Sequence, residues 1–186
     1  MQERIFSAAL AVAFFLGTAL FAAAETNPVI VMKTSKGDIT VELDQARAPV
    51  STKNFLSYTD AKFYDGTIFH RVIPGFMIQG GGLIPDFQEK PARPPIKNEA
   101  ANGLKNLRGT IAMARGNDFN SATCQFYINH VDKPGLDGQY AVFGKVIKGL
   151  DVVDAIAAVP TGTIKGYENA PRQSVTIISV RRAENK

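Results

Sequence analysis

Between Val29 and Val180 the chain returns eight times to a short run of strand-forming residues separated by turns, and that rhythm limits the folds open to it. Alternating apolar and polar residues over Val29 to Lys33 and Asp38 to Asp44, joined through Ser35-Lys36-Gly37, predict an opening β-hairpin. Six further strands are expected at Ile68 to Val72, Met77 to Gln79, Thr110 to Ala114, Gln125 to Asn129, Ala141 to Lys145 and Val175 to Val180. Two segments follow helical spacing instead. Val50, Phe55, Leu56 and Ala61 lie behind Pro49 in a first turn, and Leu150, Val153, Ile156 and Ala157 lie between Gly149 and Pro160. Short strands with frequent turns favour a closed antiparallel barrel, because closure removes the edges on which other chains could pair. The expected fold is all-β with two helices, a closed eight-stranded antiparallel β-barrel. Gly80-Gly81-Gly82 and the stretch from Pro85 to Pro95 read as one long surface loop of the same domain.

A chain of 186 residues, 45% hydrophobic, with 12 Phe, can fill such a barrel. The formal charge of +4 is spread without basic blocks or a basic-aromatic ladder, so no nucleic acid partner is expected. Cys124 is the one cysteine, so no intramolecular disulfide forms. It reads as a small buried strand residue and not as a nucleophile. Residues 1–24 stand apart. Arg4, the apolar run from Ile5 to Phe21 and the small residues Ala22-Ala23-Ala24 make a signal peptide, with cleavage before Glu25 and a domain over 25–186. A membrane anchor is the weaker reading, since the run is at the short end of spanning length. No stable membrane insertion is expected after cleavage.

The most distinctive segment runs from Phe69 to Gly81, Phe-His-Arg-Val-Ile-Pro-Gly-Phe-Met-Ile-Gln-Gly-Gly, and sets one arginine among apolar residues, followed by an aromatic, a thioether and an amide. Such a set suits a prolyl peptide bond, whose rotation is slow and whose two isomers are both populated. The segment resembles the signature of the cyclophilins, a family of peptidyl-prolyl cis-trans isomerases. Gly109 to Arg115, Ser121 to Ile128 and Leu136 to Val146 extend the resemblance in the same order. It implies the same barrel with an α-helix capping each end. It also implies that Arg71 is catalytic and that Phe76, Met77, Tyr127 and Leu136 form the proline pocket, with Phe126 close behind. Gln79, Gln125 and the backbone at Ala114-Arg115 would grip the peptide. Tyr140, where many eukaryotic members carry histidine, also belongs to the implied substrate-binding set and makes the wording most similar to the bacterial periplasmic branch.

Three residues depart from the family pattern. Tyr127 brings a hydroxyl to the pocket edge, Arg115 replaces an asparagine, and Gly135 removes an aromatic wall. His70 and His130 have no partners at ligand or triad spacing, so neither a metal nor a hydrolase is expected. Strand alternation predicts that His70 points away from Arg71. No cofactor is expected either. The sequence reading is a monomeric, periplasmic isomerase of X-Pro bonds in unfolded or flexible proline-containing polypeptides, which assists the folding of exported chains. The alternative is a proline-segment binding module or chaperone of the same fold with little turnover. Arg71 distinguishes them, because holding a proline ring requires no transition-state donor.

Overall fold

The structure, a computed structural model, describes residues 27–183. The signal-peptide reading of residues 1–24 lies outside the described residues. All eight expected strands form. They are β1 (Val29–Thr34), β2 (Gly37–Leu43), β3 (Phe69–Ile73), β4 (Met77–Gly80), β5 (Thr110–Met113), β6 (Phe126–Asn129), β7 (Val142–Lys148) and the last strand, β10 (Ile177–Arg182). Together they make one antiparallel sheet in the order β10-β1-β2-β7-β5-β6-β4-β3. Helix α1 (Pro49–Asp60) packs on β10 and β7, and α2 (Leu150–Ala157) packs on β2, β3 and β4.

The β1–β2 hairpin shows why the local sequence folds this way. Ile30, Met32, Ile39, Val41 and Leu43 alternate inward and are fully buried. Thr34 Oγ1 donates to the Gly37 carbonyl at 2.7 Å and accepts from the Lys36 amide at 3.0 Å, which closes the turn. Gly37 has a φ of 130°, and a Cβ there would lie 2.8 Å from Val152 of α2, so both conformation and packing require glycine. At the head of α1 the first turn holds Pro49, and Glu99 accepts from the Val50 and Ser51 amides at 2.9 and 2.7 Å.

The sheet curls until its two edges meet, but the ladder stays open between β3 and β10. Strand β10 pairs with β1 along its length, leaving only residues 175–177 for β3. The seam is an isolated bridge, Ile68 to Thr176, flanked by Phe69 N donating to Val175 O at 2.9 Å and Ile177 N donating to Thr67 O at 2.7 Å. Arg181 ties it further through two hydrogen bonds to the Asp65 carboxylate, at 2.8 and 2.6 Å.

Inside the sheet lies an aromatic core. Phe55 stacks on Tyr64 at 4.9 Å, and Phe126 meets Phe55, Tyr64 and Phe69 edge-on at 5.5, 5.6 and 6.1 Å. Cys124 is buried within this core, and burial pushes its thiol pKa up, as suits an inert packing residue. One element is additional to the sequence reading, a hairpin of β8 (Thr161–Ile164) and β9 (Tyr167–Pro171) lying over β3. Among the described residues no helix is long and apolar enough to cross a membrane, and no three His, Cys, Asp or Glu side chains gather as metal ligands.

Candidate functional site

Strand β3 contains a bulge at the point that matters most. Its register with β4 passes from Phe69 opposite Gly80 to Arg71 opposite Gln79, so His70 is an extra residue. Without it, Phe69 and Val72 would face opposite sides, yet both are buried in the interior core. The bulge restores Val72 to the interior and sends Arg71 and Ile73 to the outer face. His70 is the residue that the bulge inserts. It is buried, its ring is 6.4 Å from that of Tyr167 on β9, and Nδ1 has no hydrogen-bond partner among the described residues. Desolvation, reinforced by the Arg71 charge, lowers its pKa to about 4.

On the outer face, Arg71, Phe76, Met77, Gln79, Ala114, Arg115, Tyr127, Leu136 and Tyr140 surround a cavity of about 120 Å³. Met77 and Tyr127 form its buried floor together with Ala112 and Val142, while Phe76, Leu136 and Tyr140 are half-buried at its rim. Strand alternation puts them there. Met77 and Gln79 share one face of β4, while Tyr127 sits between the inward-facing Phe126 and Ile128 on β6. Leu136 ends a single 3-10 turn, Pro134–Leu136.

A polar row crosses the mouth. Arg71 Nη1 donates to Gln79 Oε1 at 3.4 Å, and Gln79 Nε2 donates to Gln125 Oε1 at 3.0 Å. Arg71 pairs with no carboxylate among the described residues and lines the cavity, with its guanidinium 5.9 Å from the Phe76 ring centre. Gln125 lies beyond the cavity, in an adjoining groove of about 320 Å³ lined also by Gln79, Ala114, Arg115, Gly116, Ser121 and Thr123. The Ala114 amide donates to the Gln125 carbonyl at 3.0 Å, which holds the two sides of that groove together.

Phe126 does not belong to the site. Its ring is fully buried among Phe55, Tyr64 and Phe69, because the residue preceding Tyr127 on a strand must face the opposite side. The Tyr127 hydroxyl is taken out of the pocket by a 2.7 Å hydrogen bond to Asn106 Oδ1. Burial raises the phenol pKa, so it stays neutral and the ring acts as a phenylalanine would.

Two supports are absent from the sequence reading. Asn106 accepts from both Tyr127 and Asn129 and is itself anchored, its amide donating to Asp137 Oδ1 at 2.8 Å. His130 holds the turn that presents Phe76. Its Nδ1 accepts from the Gly75 amide at 3.0 Å and its own amide donates to the Phe76 carbonyl at 3.0 Å. Its Nε2 lies 3.2 Å from Asp154 Oδ1, and Arg108 donates to the His130 carbonyl at 2.6 Å and to Asp154 at 2.8 Å. Only the turn at Pro74-Gly75, where φ is 70°, signalled in the sequence that something must pin Phe76. A larger hollow of about 520 Å³, bordered by Glu42, Asp44, Arg47 and Lys145, lies elsewhere. Its charges are paired, Arg47 with Asp44 at 2.6 Å, Lys145 with Glu42 at 3.5 Å, and Lys105, also on its border, with Asp137 outside it at 3.4 Å.

Residues 29–182 match the family described as cyclophilin type peptidyl-prolyl cis-trans isomerase/CLD. A peptidyl-prolyl cis-trans isomerase of Acinetobacter baylyi is 56% identical over 176 residues, covering 91% of this chain and 94% of its own. Peptidyl-prolyl cis-trans isomerase A of Dickeya dadantii is 49% identical over 186 residues, covering 97% and 98%. Among solved structures, a cyclophilin type isomerase of Cryptosporidium parvum, crystallised in the presence of the dipeptide Ala-Pro, superposes with a TM-score of 0.75 at 30% identity, over 84% of this chain and 99% of that one.

Proposed function

This chain belongs to the cyclophilin-type peptidyl-prolyl cis-trans isomerase family and is an isomerase of X-Pro bonds; from that premise we propose that Arg71 and the cavity beneath it are the catalytic apparatus. The observation behind this reading is the pairing of a cation that has unused donors with an apolar hollow of about 120 Å³. A planar prolyl amide offers no lone pair at nitrogen. Twisting the bond localises that pair, so an N–H donor aimed at the nitrogen stabilises the transition state and not either ground state. Arg71 is permanently charged and supplies several donors from a rigid plane.

One charge-assisted hydrogen bond is worth about 1.5–3 kcal/mol. Unaided rotation takes about 10–100 s, and reaching on the order of 10³ per second requires roughly 5–7 kcal/mol. The remainder falls to the pocket. Met77, Phe76, Tyr127 and Leu136 surround the ring with hydrocarbon, which favours the less polar twisted amide, and the Gln79, Gln125 and Ala114 groups hold the flanking chain while the bond turns.

The substrates on this reading are proline-containing segments of unfolded or flexible polypeptides. The basic, apolar, small-residue order of residues 1–24 supports export and a mature chain starting at Glu25, and on this reading the protein is a periplasmic monomer that assists the folding of exported proteins. A cis-trans relaxation assay on a short X-Pro peptide tests the catalytic assignment. Arg71→Ala should abolish most of the acceleration while the protein stays folded, and full activity in that variant would sink the assignment. Mass spectrometry of the secreted protein should find Glu25 at its start, and an intact Met1 in a membrane fraction would overturn the export reading.

A further inference from the structure

We propose that Arg115 makes this isomerase select substrates with a carboxylate side chain on the segment flanking the prolyl bond. The inference rests on the isomerase reading above and names the substrate class that the same site prefers. Arg115 stands just past the end of β5 and lines both the proline-sized cavity and the groove of about 320 Å³ beside it. Gln79, Ala114 and Arg115 are common to both, so a chain whose proline fills the first passes among these three residues to enter the second.

The side chain is already arranged to receive an anion. Its guanidinium carbon sits 4.6 Å from the Tyr140 ring centre and 5.4 Å from that of Phe119. Nε donates to the Gln139 carbonyl at 3.1 Å and Nη1 to the Gly116 carbonyl at 3.0 Å. These partners are neutral carbonyls. No carboxylate lies within ion-pair distance of Arg115 among the described residues, and Nη2 has no hydrogen bond there. The nearest acidic side chain in its loop, Asp118, is turned to the Asn120 amide at 2.7 Å.

The groove supplies no competing charge. Gln79, Ser121, Thr123 and Gln125 face it with amides and hydroxyls, and Arg115 is its one ionisable side chain. The Ser121 hydroxyl is occupied, accepting from the Gly116 amide at 2.9 Å and donating to the Asp118 carbonyl at 2.6 Å. Within the groove, the field a bound peptide meets is that of Arg115 over neutral polar walls, while Arg71 charges the proline cavity next to it. Because stacking and two backbone bonds already order the guanidinium, little side-chain freedom remains to be lost on binding.

The test is a set of peptides built around one Ala-Pro bond, with Glu or Lys placed in turn at each flanking position. Both kcat/KM and affinity, by fluorescence anisotropy, are measured. At low salt one position should show Glu favoured over Lys by about fivefold, the scale of a well-ordered surface ion pair. The ratio should fall to near one in Arg115→Gln, and also in about 1 M salt, where the Debye length is about 3 Å. Equal values for Glu and Lys at every position would overturn the proposal, as would a ratio that survives in Arg115→Gln. The affinity arm separates it from the reading beneath it. A charge preference in binding with no turnover of any peptide would support Arg115 and reject the isomerase assignment.

Discussion

The same strands build two apolar clusters on opposite faces of one sheet, and the two differ in almost everything but hydrophobicity. The inner cluster joins Phe55, Tyr64, Phe69, Phe126 and Phe143 into a closed set of rings, all fully buried. The outer cluster sets Met77, Ala112 and Tyr127 beneath the half-exposed Phe76, Leu136 and Tyr140, and polar side chains cross it. Successive residues of β6, Phe126 and Tyr127, go one to each. Strand parity thus separates stability from recognition. A change on the inside should be felt in folding, and one on the outside in turnover.

The largest expected effect is inside. Phe126→Ala should cost about 3–5 kcal/mol, as deletion of a core ring does, with turnover per folded molecule little changed. Denaturant melts paired with activity of the folded fraction check this, and a tenfold drop in specific activity would erase the distinction between faces. Next comes His70 on the bulge. Its folded pKa of about 4 lies below the imidazole value of 6.5, so between these pH values the unfolded chain binds the extra proton and the folded chain does not. Stability should be full above pH 6.5, fall as pH drops through about 4, and lose about 3 kcal/mol over that window. In His70→Gln the same urea-midpoint titration should be flat until the carboxylates protonate.

On the outer face, Arg71→Lys should lower kcat/KM tenfold or more with stability within about 0.5 kcal/mol of the parent, because lysine keeps the charge and loses the planar fork. Retention of half the activity would remove the transition-state role. The smallest effect belongs to Tyr127→Phe. It deletes the bond to Asn106, which keeps Asn129 as a donor, and should cost about 1 kcal/mol of stability with near-parental kcat/KM. A large kinetic effect would mean that the hydroxyl reaches substrate.

The pattern of what was legible follows from how far each signal reaches. Strand periodicity and turn residues are local, and all eight strands of the sheet lie where they point, with ends displaced by a few residues. The β8–β9 hairpin escaped because its turn is Lys165-Gly166, with φ values of 49° and 86°, instead of the Asn-Gly or Asp-Gly pair that marks such turns. The motif from Phe69 to Gly81 led to Arg71, Phe76, Met77 and Gln79, all of which line the cavity. Phe126 was misassigned although alternation with Tyr127 already forbade it a place there. The bulge at His70 has no chemical mark in Phe69-His70-Arg71-Val72. The Asn106 and His130 supports come from segments far from the motif in sequence and meet it only after folding.

The seam has a consequence for how such a molecule comes into being. Strand β10, at the far end of the described chain, is hydrogen-bonded along β1, the first strand, and its entry residues complete the bridge to β3. A chain delivered from its N-terminus therefore has β1 without one neighbour, and the barrel without its closing contact, until the last strand arrives. Contacts of such long sequence separation close late and slowly. Arg71 takes its place from the β3–β4 pairing, whereas closure of the sheet beside it waits for β10. The Ala183 amide, which donates to the Val29 carbonyl at 2.8 Å, brings the residue that follows β10 beside the first residue of β1, so the earliest and latest strands of the sheet are fastened to one another.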